Sequence, residues 1–579
     1  MFTSRKKRIR QSIIARYGKN PFDSWDIDHT RENLDSIRIY YDECRGNNQE
    51  EELNEKQHEN LKNDLNDGLK KSDKSSKNTK NAQQKENITS SVKKNAVVDE
   101  ITWNDLEMDD VFLRINQTKS YIGEQFLYKS LHELDSDRDW TDFEYRIEYF
   151  EQNESERIKI EEKLAAIGKK DEDYYITMFI NNSDVLGLSG GFVYHILQVL
   201  LAVSLVLSIC TKNIVWIGMA IGVAVTNLLI YTFTKNKYEA FLYSLGSIKQ
   251  LVQFCDMMIS RPQWKDILYS QGVEEDVKKF RKLVRWVGNF QIRKHSVIAG
   301  NEMALLQEYL LGVTLYDVAV YNHIMKAING RMDAIWRLYE FAGSVDMAIA
   351  IASFRRSKEQ VCVPVFSDSQ KINIQGVCHP MLEKSVSNNF NLAGNAMVTG
   401  ANASGKSTFM KAIAINAILA QTIHTCTATS FSMPGIGIMT SMALRDDIIS
   451  GESYYVREVK HLKRMLDSVN EDNGYLFVID EIFKGTNTRE RLAASEAVLQ
   501  YLMDKNCHVI VATHDMELAE KMGMQYKCYH FDSYMEDNDI HFDYLIREGI
   551  GSTTNAIDLL TCFDFPDIIV KCANNFLNV

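Results

Sequence analysis

The chain has 579 residues, with 78 acidic against 66 basic side chains and a net charge of -12; at ~150 residues per domain this argues for several domains and against a cation-coated surface that wraps nucleic acid. Only 6 prolines and 29 glycines occur and 45% of residues are hydrophobic, which excludes collagen-like and wholly disordered chains and suits long helices. Ten cysteines are scattered without a C-x-x-C pair or a histidine cluster at zinc-ligand spacing, which points to a reducing compartment and no structural metal.

Residues 1–45 read as a basic helical segment. Arg16, Lys19 and Asp23 interrupt any apolar core of signal-peptide type, so the chain is expected to start in the cytoplasm. Arg5, Lys6, Lys7, Arg8 and Arg10 are either a solvated helix face or a contact for anionic lipid or DNA phosphate. Residues 46–97 lack aromatics and apolar period and are expected to form a disordered insert. From Ile101 to Ile167 apolar positions recur at three- and four-residue steps, which predicts a helical, connector-like region over 98–184.

Between Val185 and Thr234 the one Asp, Glu, Lys or Arg is Lys212, and it divides two apolar runs, Phe192 to Thr211 and Ile214 to Phe233. Each is about 30 Å long as helix, the thickness of a bilayer core. The expectation is a transmembrane hairpin over 190–235; the alternative is a pair of buried core helices. Lys169, Lys170, Lys235 and Lys237 flank it, so the positive-inside bias puts both flanking regions in the cytoplasm and the chain at the cell membrane. Residues 238–358 read as a further helical core or lever region. Its basic segment carries Lys278, Lys279, Arg281, Lys282, Arg285, Arg293 and Lys294 interleaved with Phe280, Trp286 and Phe290. Such a pattern suits phosphate neutralisation with base stacking, or else an amphipathic helix with core aromatics and solvated cations.

Gly400-Ala-Asn402-Ala-Ser-Gly405-Lys406-Ser407-Thr408 fits G-x-x-x-x-G-K-[ST] between a strand-like and a helix-like stretch, a phosphate-binding loop. Lys406 is expected to reach the β- and γ-phosphates of ATP, and Ser407 to ligate Mg²⁺. The buried-strand run Tyr475 to Asp480-Glu481 then supplies Asp480 beside the metal and Glu481 as the general base. A third run, Cys507 to Thr513-His514-Asp515, brings His514 to the same sheet edge as a γ-phosphate sensor, the alternative being a capped structural histidine.

Around these motifs the chain resembles the MutS family of DNA mismatch-repair ATPases, a branch of the ABC-type ATPases. The resemblance rests on Gly376-Val-Cys-His379-Pro380, on Asp446-Asp447-Ile-Ile-Ser-Gly451-Glu-Ser453-Tyr454-Tyr455-Val-Arg-Glu458, and on Asp480-Glu-Ile-Phe-Lys-Gly485-Thr486-Asn487-Thr488. Asp543 to Gly549, Phe565 to Ile569 and Leu338 to Ser353 extend it. Together with the hairpin read from the apolar runs, the resemblance implies a multidomain protein: a mostly α N-terminal and core region containing that transmembrane hairpin, then a C-terminal α/β P-loop (ABC-type) ATPase domain over 361–579. It further implies a homodimer whose composite ATP sites are each completed by Ser453 of the other chain, with DNA as partner through 278–294. Ala401, Ala403 and Ser404 depart from the family's loop, and Tyr454 and Tyr455 from its signature. No counterpart of the mismatch-reading domain is recognisable, so the chain looks like a membrane-anchored offshoot. The alternative function is a membrane-tethered, ATP-dependent scaffold that does not bind DNA.

Overall fold

The structure, a computed structural model, describes residues 2–23, 26–46, 96–181, 191–239, 242–265, 272–298, 309–401, 403–442, 454–469, 474–536, 539–551, 557, 560, 562, 563 and 565–577. Nearly all of the insert expected over 46–97 lies outside the described residues.

The N-terminal half is helical. Phe2–Arg16 forms α1. Tyr121–His132 forms α2, started by Ser120, whose extended backbone lets its Oγ accept from Gly123 N at 3.1 Å as N-capping requires. Thr141–Gln152 is α3. The two apolar runs become α4 (Gly191–Thr211) and α5 (Ile214–Glu239). Val273–Ile298 (α6), Tyr316–Asn329 (α7) and Met332–Arg356 (α8) follow. Most of α8 is buried, and it packs on α2, α3 and α6. Its crossing with α2 is close because glycines face the partner helix. A Cβ on Gly343 would stand 2.6 Å from Phe126 Cβ, and one on Gly123 2.4 Å from Asp346 Oδ2. Asp346 is fully buried and accepts from Lys119 N, Ser120 N and Ser120 Oγ at 3.0, 2.9 and 2.6 Å.

Helices α4 and α5 pack on each other and, at their base, on α7. Both are long and apolar enough to cross a membrane, and only 17% and 22% of their apolar stretches are buried. Phe192, Ile209, Ile214 and Phe233 are exposed, so within this chain the two helices are not core helices. Hydroxyls on the hairpin bond back to carbonyls one turn earlier, Thr211 to Leu207 and Thr226 to Gly222. This satisfies them without water.

The C-terminal part contains two sheets. Strands Val365–Phe366 (β1), Ile372–Val377 (β2), Asn388–Leu392 (β3), Ala396–Gly400 (β4), Ser430–Met433 (β5), Gly437–Ser441 (β6), Tyr475–Asp480 (β7), Cys507–Ala512 (β8), Lys527–Glu536 (β9) and Asp539–Glu548 (β10) form a four-stranded sheet, β1-β5-β2-β3, and a six-stranded sheet, β10-β9-β4-β8-β7-β6. From β9 to β6 every neighbouring pair is parallel, and β10 closes the edge antiparallel. The period of two along the central strands divides their side chains between two cores. Ala396, Val398, Leu476, Val478, Ile510 and Ala512 face helix α9 (Lys406–Ile423). Met397, Phe477, Ile479, Val509 and Val511 face α10 (Tyr454–Ser468), α11 (Thr488–Met503) and α12 (Met516–Met522). Helix α13 is Asp567–Leu577.

The helical body reaches the sheet at two points. Helix Glu100–Asp105 covers edge strand β6, where Asp105 Oδ2 accepts from Thr440 Oγ1 at 2.8 Å and Met442 N at 2.9 Å; covering the edge prevents further strand addition. At the C-terminal end of α9, Arg355 forms a two-pronged pair with Glu144, 2.7 Å on each arm, and donates to Thr425 Oγ1 and His424 O. His424 Nδ1 meets the same carboxylate at 2.8 Å and its ring stacks on Trp140 at 4.9 Å.

Burial raises the Glu144 pKa, but the hydrogen bonds from Arg355 and His424 outweigh it and hold the group below its ordinary value of 4.5. A carboxylate with a depressed folded pKa contributes stability that is complete above the unfolded value and is lost as pH falls through the folded one. Glu144→Gln is therefore expected to cost about 2 kcal/mol at pH 7, with the deficit shrinking below pH ~4.5, as measured by denaturant unfolding at both ends of that range.

Candidate functional site

The site is built where β4 runs into α9. Gly400 and Gly405 take φ of 142° and 101°, values that β-carbon sterics reserve largely for glycine. The space matters too: a Cβ on Gly400 would lie 2.9 Å from Phe531 O, and one on Gly405 3.0 Å from Tyr544 Cδ1. The turn thus delivers the positive end of α9 to the loop. Lys406 Nζ donates to Gly400 O at 2.7 Å and Ala401 O at 2.8 Å. Burial lowers its pKa, while Asp480 and Glu481 pull it back up. Ser407 Oγ donates to Asp480 Oδ2 at 2.6 Å, and Thr408 stands beside it at the start of α9. Asn402 lies outside the described residues.

Strand register brings the other groups level with the loop. Ala512 pairs with both Asp480 and Val398, so β4, β7 and β8 end together. Glu481 leaves β7 with φ of 64°, and its N–H donates to Ala512 O at 3.0 Å. One carboxylate oxygen meets His514 Nδ1 at 2.8 Å and the other lies 3.5 Å from Lys484 Nζ. Burial pushes the Glu481 pKa up; His514 and Lys484 together outweigh that and hold it below the usual carboxylate value. It is ionised at neutral pH, a state suited to accepting a proton from water or orienting it.

Glu458 braces this edge from α10. It is 3% exposed and accepts from Lys484 N at 2.9 Å and Gly485 N at 3.1 Å. Gly485 has no room for a side chain, since a Cβ there would meet Tyr455 Cβ at 2.9 Å. The loop after Glu481 is thereby held against the first turn of α10, the element that follows Ser453. Ser453 itself and the stretch 443–453 lie outside the described residues.

Lys406, Ser407, Asp480, Glu481 and Lys484 line a cavity of about 550 Å³, together with Tyr544 and His379, within the range of small-molecule sites. Burial drives the His379 pKa down to about 4, so it is a neutral wall. A larger cavity of about 910 Å³ lies against α1, lined by Arg8, Arg16, Lys19, Lys119 and Lys169; none of the loop residues borders it. In the smaller one, the glycine-shaped loop, a lysine and a hydroxyl–carboxylate pair suit a phosphate chain with a hard divalent cation. Ser404 Oγ, buried and without a partner among the described residues, is a further donor at the loop.

Comparison with known proteins bears on residues 396–579, which match the family model of MutS domain V. The DNA mismatch repair protein MutS of Natronomonas pharaonis is 29% identical over 268 residues, 44% of this chain and 31% of that protein. DNA mismatch repair protein MutS 2 of Haloarcula marismortui is 31% identical over 188 residues, 31% of this chain and 19% of that protein. MutS of Wolbachia pipientis wMel is 30% identical over 265 residues, 45% and 31% of the two chains. Residues 396–579 thus match a MutS domain V, and through this C-terminal part the chain is similar to MutS proteins. It spans about a third or less of the length of these relatives.

Of the residues singled out from the sequence, Lys406, Ser407, Thr408, Asp480 and Glu481 line this one cavity, and His514 stands behind Glu481 at 2.8 Å. Sequence reasoning missed Lys484 as the second partner of Glu481, and Tyr544, which approaches Gly405 from β10 at φ of 57°; neither sits at a spacing that announces it. Of the two readings of the basic segment, the structure decides one position. Phe280 is fully buried, as are Leu283 and Val287 nearly so, and Lys278, Lys279 and Arg281 pair with Glu274, Asp276 and Asp256. Phe280 is therefore core and not a stacking platform, because α6 packs on the helix Leu242–Ile259 and on α8. The side chains of Arg285, Trp286, Phe290, Arg293 and Lys294 lie outside the described set.

Removing the Glu458 carboxylate should orphan two backbone N–H groups. Glu458→Ala is expected to cost ~1–3 kcal/mol and to expose the loop after Glu481 to protease before global unfolding, which limited proteolysis with mass mapping will show.

Proposed function

We propose that this MutS-family chain binds and hydrolyses ATP with Mg²⁺ at the Lys406 loop, pairs with a second copy around two nucleotides, is held to the membrane by α4 and α5, and acts on DNA. The observation that carries the reading is the convergence of Lys406, the Ser407–Asp480 pair and the His514–Glu481–Lys484 set at one edge of the parallel sheet. ATP with its metal supplies the transferable phosphoryl group. Lys406 and the loop N–H groups would bind the phosphates, Ser407 and Asp480 would hold the cation, and Glu481 would orient the attacking water while His514 and Lys484 fix its carboxylate. His514 also senses the γ-phosphate.

The dimer is supported by α13, where Ile568, Ile569 and Phe576 are exposed; such an apolar helix suits a clamp on a second subunit. Ser453, on the segment leading into α10, would complete the other copy's site. DNA enters from the names of the relatives, which are DNA mismatch repair proteins. A second reading, an ATP-dependent membrane tether that does not bind DNA, is favoured by the ion-paired face of α6 and its buried Phe280.

With detergent-solubilised full chain, Lys406→Ala should lose nucleotide affinity, whereas Glu481→Gln should keep it, slow turnover by about 10²–10⁴ and accumulate as dimer on gel filtration. Parental rates in both variants would dismiss the site. Turnover with duplex, mismatched and branched DNA separates the readings: stimulation that weakens with salt supports DNA contact, and unchanged turnover supports the tether. Extraction tests the anchor. The chain should leave membranes with detergent and not with high salt, because hydrophobic burial is unscreened.

A further inference from the structure

Where α4 meets α7, a cavity of about 280 Å³ opens at the base of the hairpin, lined among others by His195, Gln198, Tyr316, His323 and Lys326. No Asp or Glu borders it, and among the described residues Lys326 has no ion-pair partner. Gly191, the first residue of α4, also borders it and sits close to Lys326: a Cβ there would be 3.7 Å from Lys326 Nζ. The positive end of a 21-residue helix and a lysine thus face the same space. Its wall is fixed, since Gln198 Nε2 donates to Thr314 O at 3.0 Å and Gln198 Oε1 lies 3.1 Å from His195 Nδ1.

His195 is shared with a second, entirely apolar groove of about 370 Å³ that continues up α4 past Phe192, Ile196, Val199, Leu200 and Val203. These positions step by three and four residues and form one stripe. From 192 to 203 the stripe climbs about 16 Å at 1.5 Å per residue, which matches one leaflet of a ~30 Å hydrocarbon core. A polar, cationic mouth leading into an apolar channel of one leaflet's depth has the shape and polarity of a phospholipid.

We infer that α4 and α7 form a binding site for an anionic phospholipid of the cytoplasmic leaflet, with the headgroup phosphate at Lys326, His195 and the start of α4 and an acyl chain along the Phe192–Val203 groove. The inference rests on the anchor reading above, because the groove meets lipid only if α4 spans the bilayer. Lys326 supplies preference for net negative headgroups. One lysine near an anionic surface is worth ~1 kcal/mol, or about fivefold in affinity.

The test uses the full chain in mild detergent, titrated with dioctanoyl-phosphatidylglycerol or dioctanoyl-phosphatidylcholine and read by intrinsic fluorescence and thermal shift. Phosphatidylglycerol should bind about fivefold more tightly. Lys326→Ala should erase that preference and Lys326→Arg keep it. Val199→Trp, which fills the groove, should weaken both lipids, while Lys212→Ala at the far tip should change neither. Glycerol phosphate without chains should bind far more weakly; if it matches the lipid, the site is a bare phosphate site and the proposal fails. Equal affinity for both lipids, or a Lys326→Ala variant that behaves like the parent, also overturns it. Extraction distinguishes the two levels. A chain that needs detergent yet shows no lipid preference keeps the anchor and loses the site, whereas one that is soluble without detergent loses both.

Discussion

The burial of one helix, Lys406–Ile423, constrains the rest of this molecule. Of its 18 residues only Ser407, Thr408 and Lys411 escape full burial, because one side lies on the parallel sheet and the other meets the helical body through α2 and the edge of α3. A helix so enclosed cannot tilt without opening cavities on both sides, and interiors at crystal-like density resist that. Its N-terminal turn is the phosphate loop. Its C-terminal end, some 27 Å away at 1.5 Å per residue, is gripped at His424 by Glu144 and Arg355. The loop's geometry and the seating of the C-terminal part on the helical body are thus two ends of one rigid element.

Much of this was legible in the sequence, for identifiable reasons. Strands buried on both faces must be near-continuous apolar runs, so Tyr475 to Asp480 and Cys507 to Ala512 announced themselves, and their polar termini marked one functional edge. The glycine turn into α9 was legible because few residue types tolerate φ near 142° and 101° at Gly400 and Gly405. The apolar hairpin was legible from length and absence of charge. What stayed hidden depends on long-range contact. That Lys484 shares Glu481 with His514 follows from the left-handed turn at Glu481 and Phe483, which no spacing rule marks. That Asp105 ties down strand β6 from more than 300 residues away is invisible to periodicity. The basic segment stayed open between two readings because interleaved aromatics and cations fit both equally; only the packing of α6 decides that Phe280 is core.

The helical body shows how charge is managed where it must be buried. Around α2, Glu124 is fully buried yet receives Asn116, Lys169 and Thr30. Asp346 is satisfied by two backbone N–H groups and a hydroxyl. Buried carboxylates with full hydrogen-bond complements add little net stability but exclude alternative packings, since any shift leaves a charge unpaired in low dielectric. They sit where α2 crosses α8 through facing glycines, so this close helix–helix contact is also strictly registered. The hairpin obeys the opposite rule. Its polar atoms are sparse, bond within their own helix, or reach the α7 side, as Asn227 Nδ2 does to Val313 O at 2.7 Å.

A nucleotide-driven movement would have to cross these packed elements to reach the hairpin. The contacts for it are contiguous: α9 meets α8 and α3 at the Arg355–Glu144–His424 joint, α8 packs on α6, α6 on α7, and α7 on both α4 and α5. Contiguity is necessary for mechanical coupling and does not establish it; a ligand shifts such a body only by the difference in its affinity for two arrangements. The joint is the element most suited to having two. It is held by charge-assisted hydrogen bonds and one stacked ring pair, which re-form after a small rotation, whereas the Asp346 crossing is locked by glycine contacts that leave no room for one. Motion originating at Lys406 would therefore be taken up first at Glu144, with α2 and α8 moving as a single piece and carrying α6, α7 and the base of the hairpin with them.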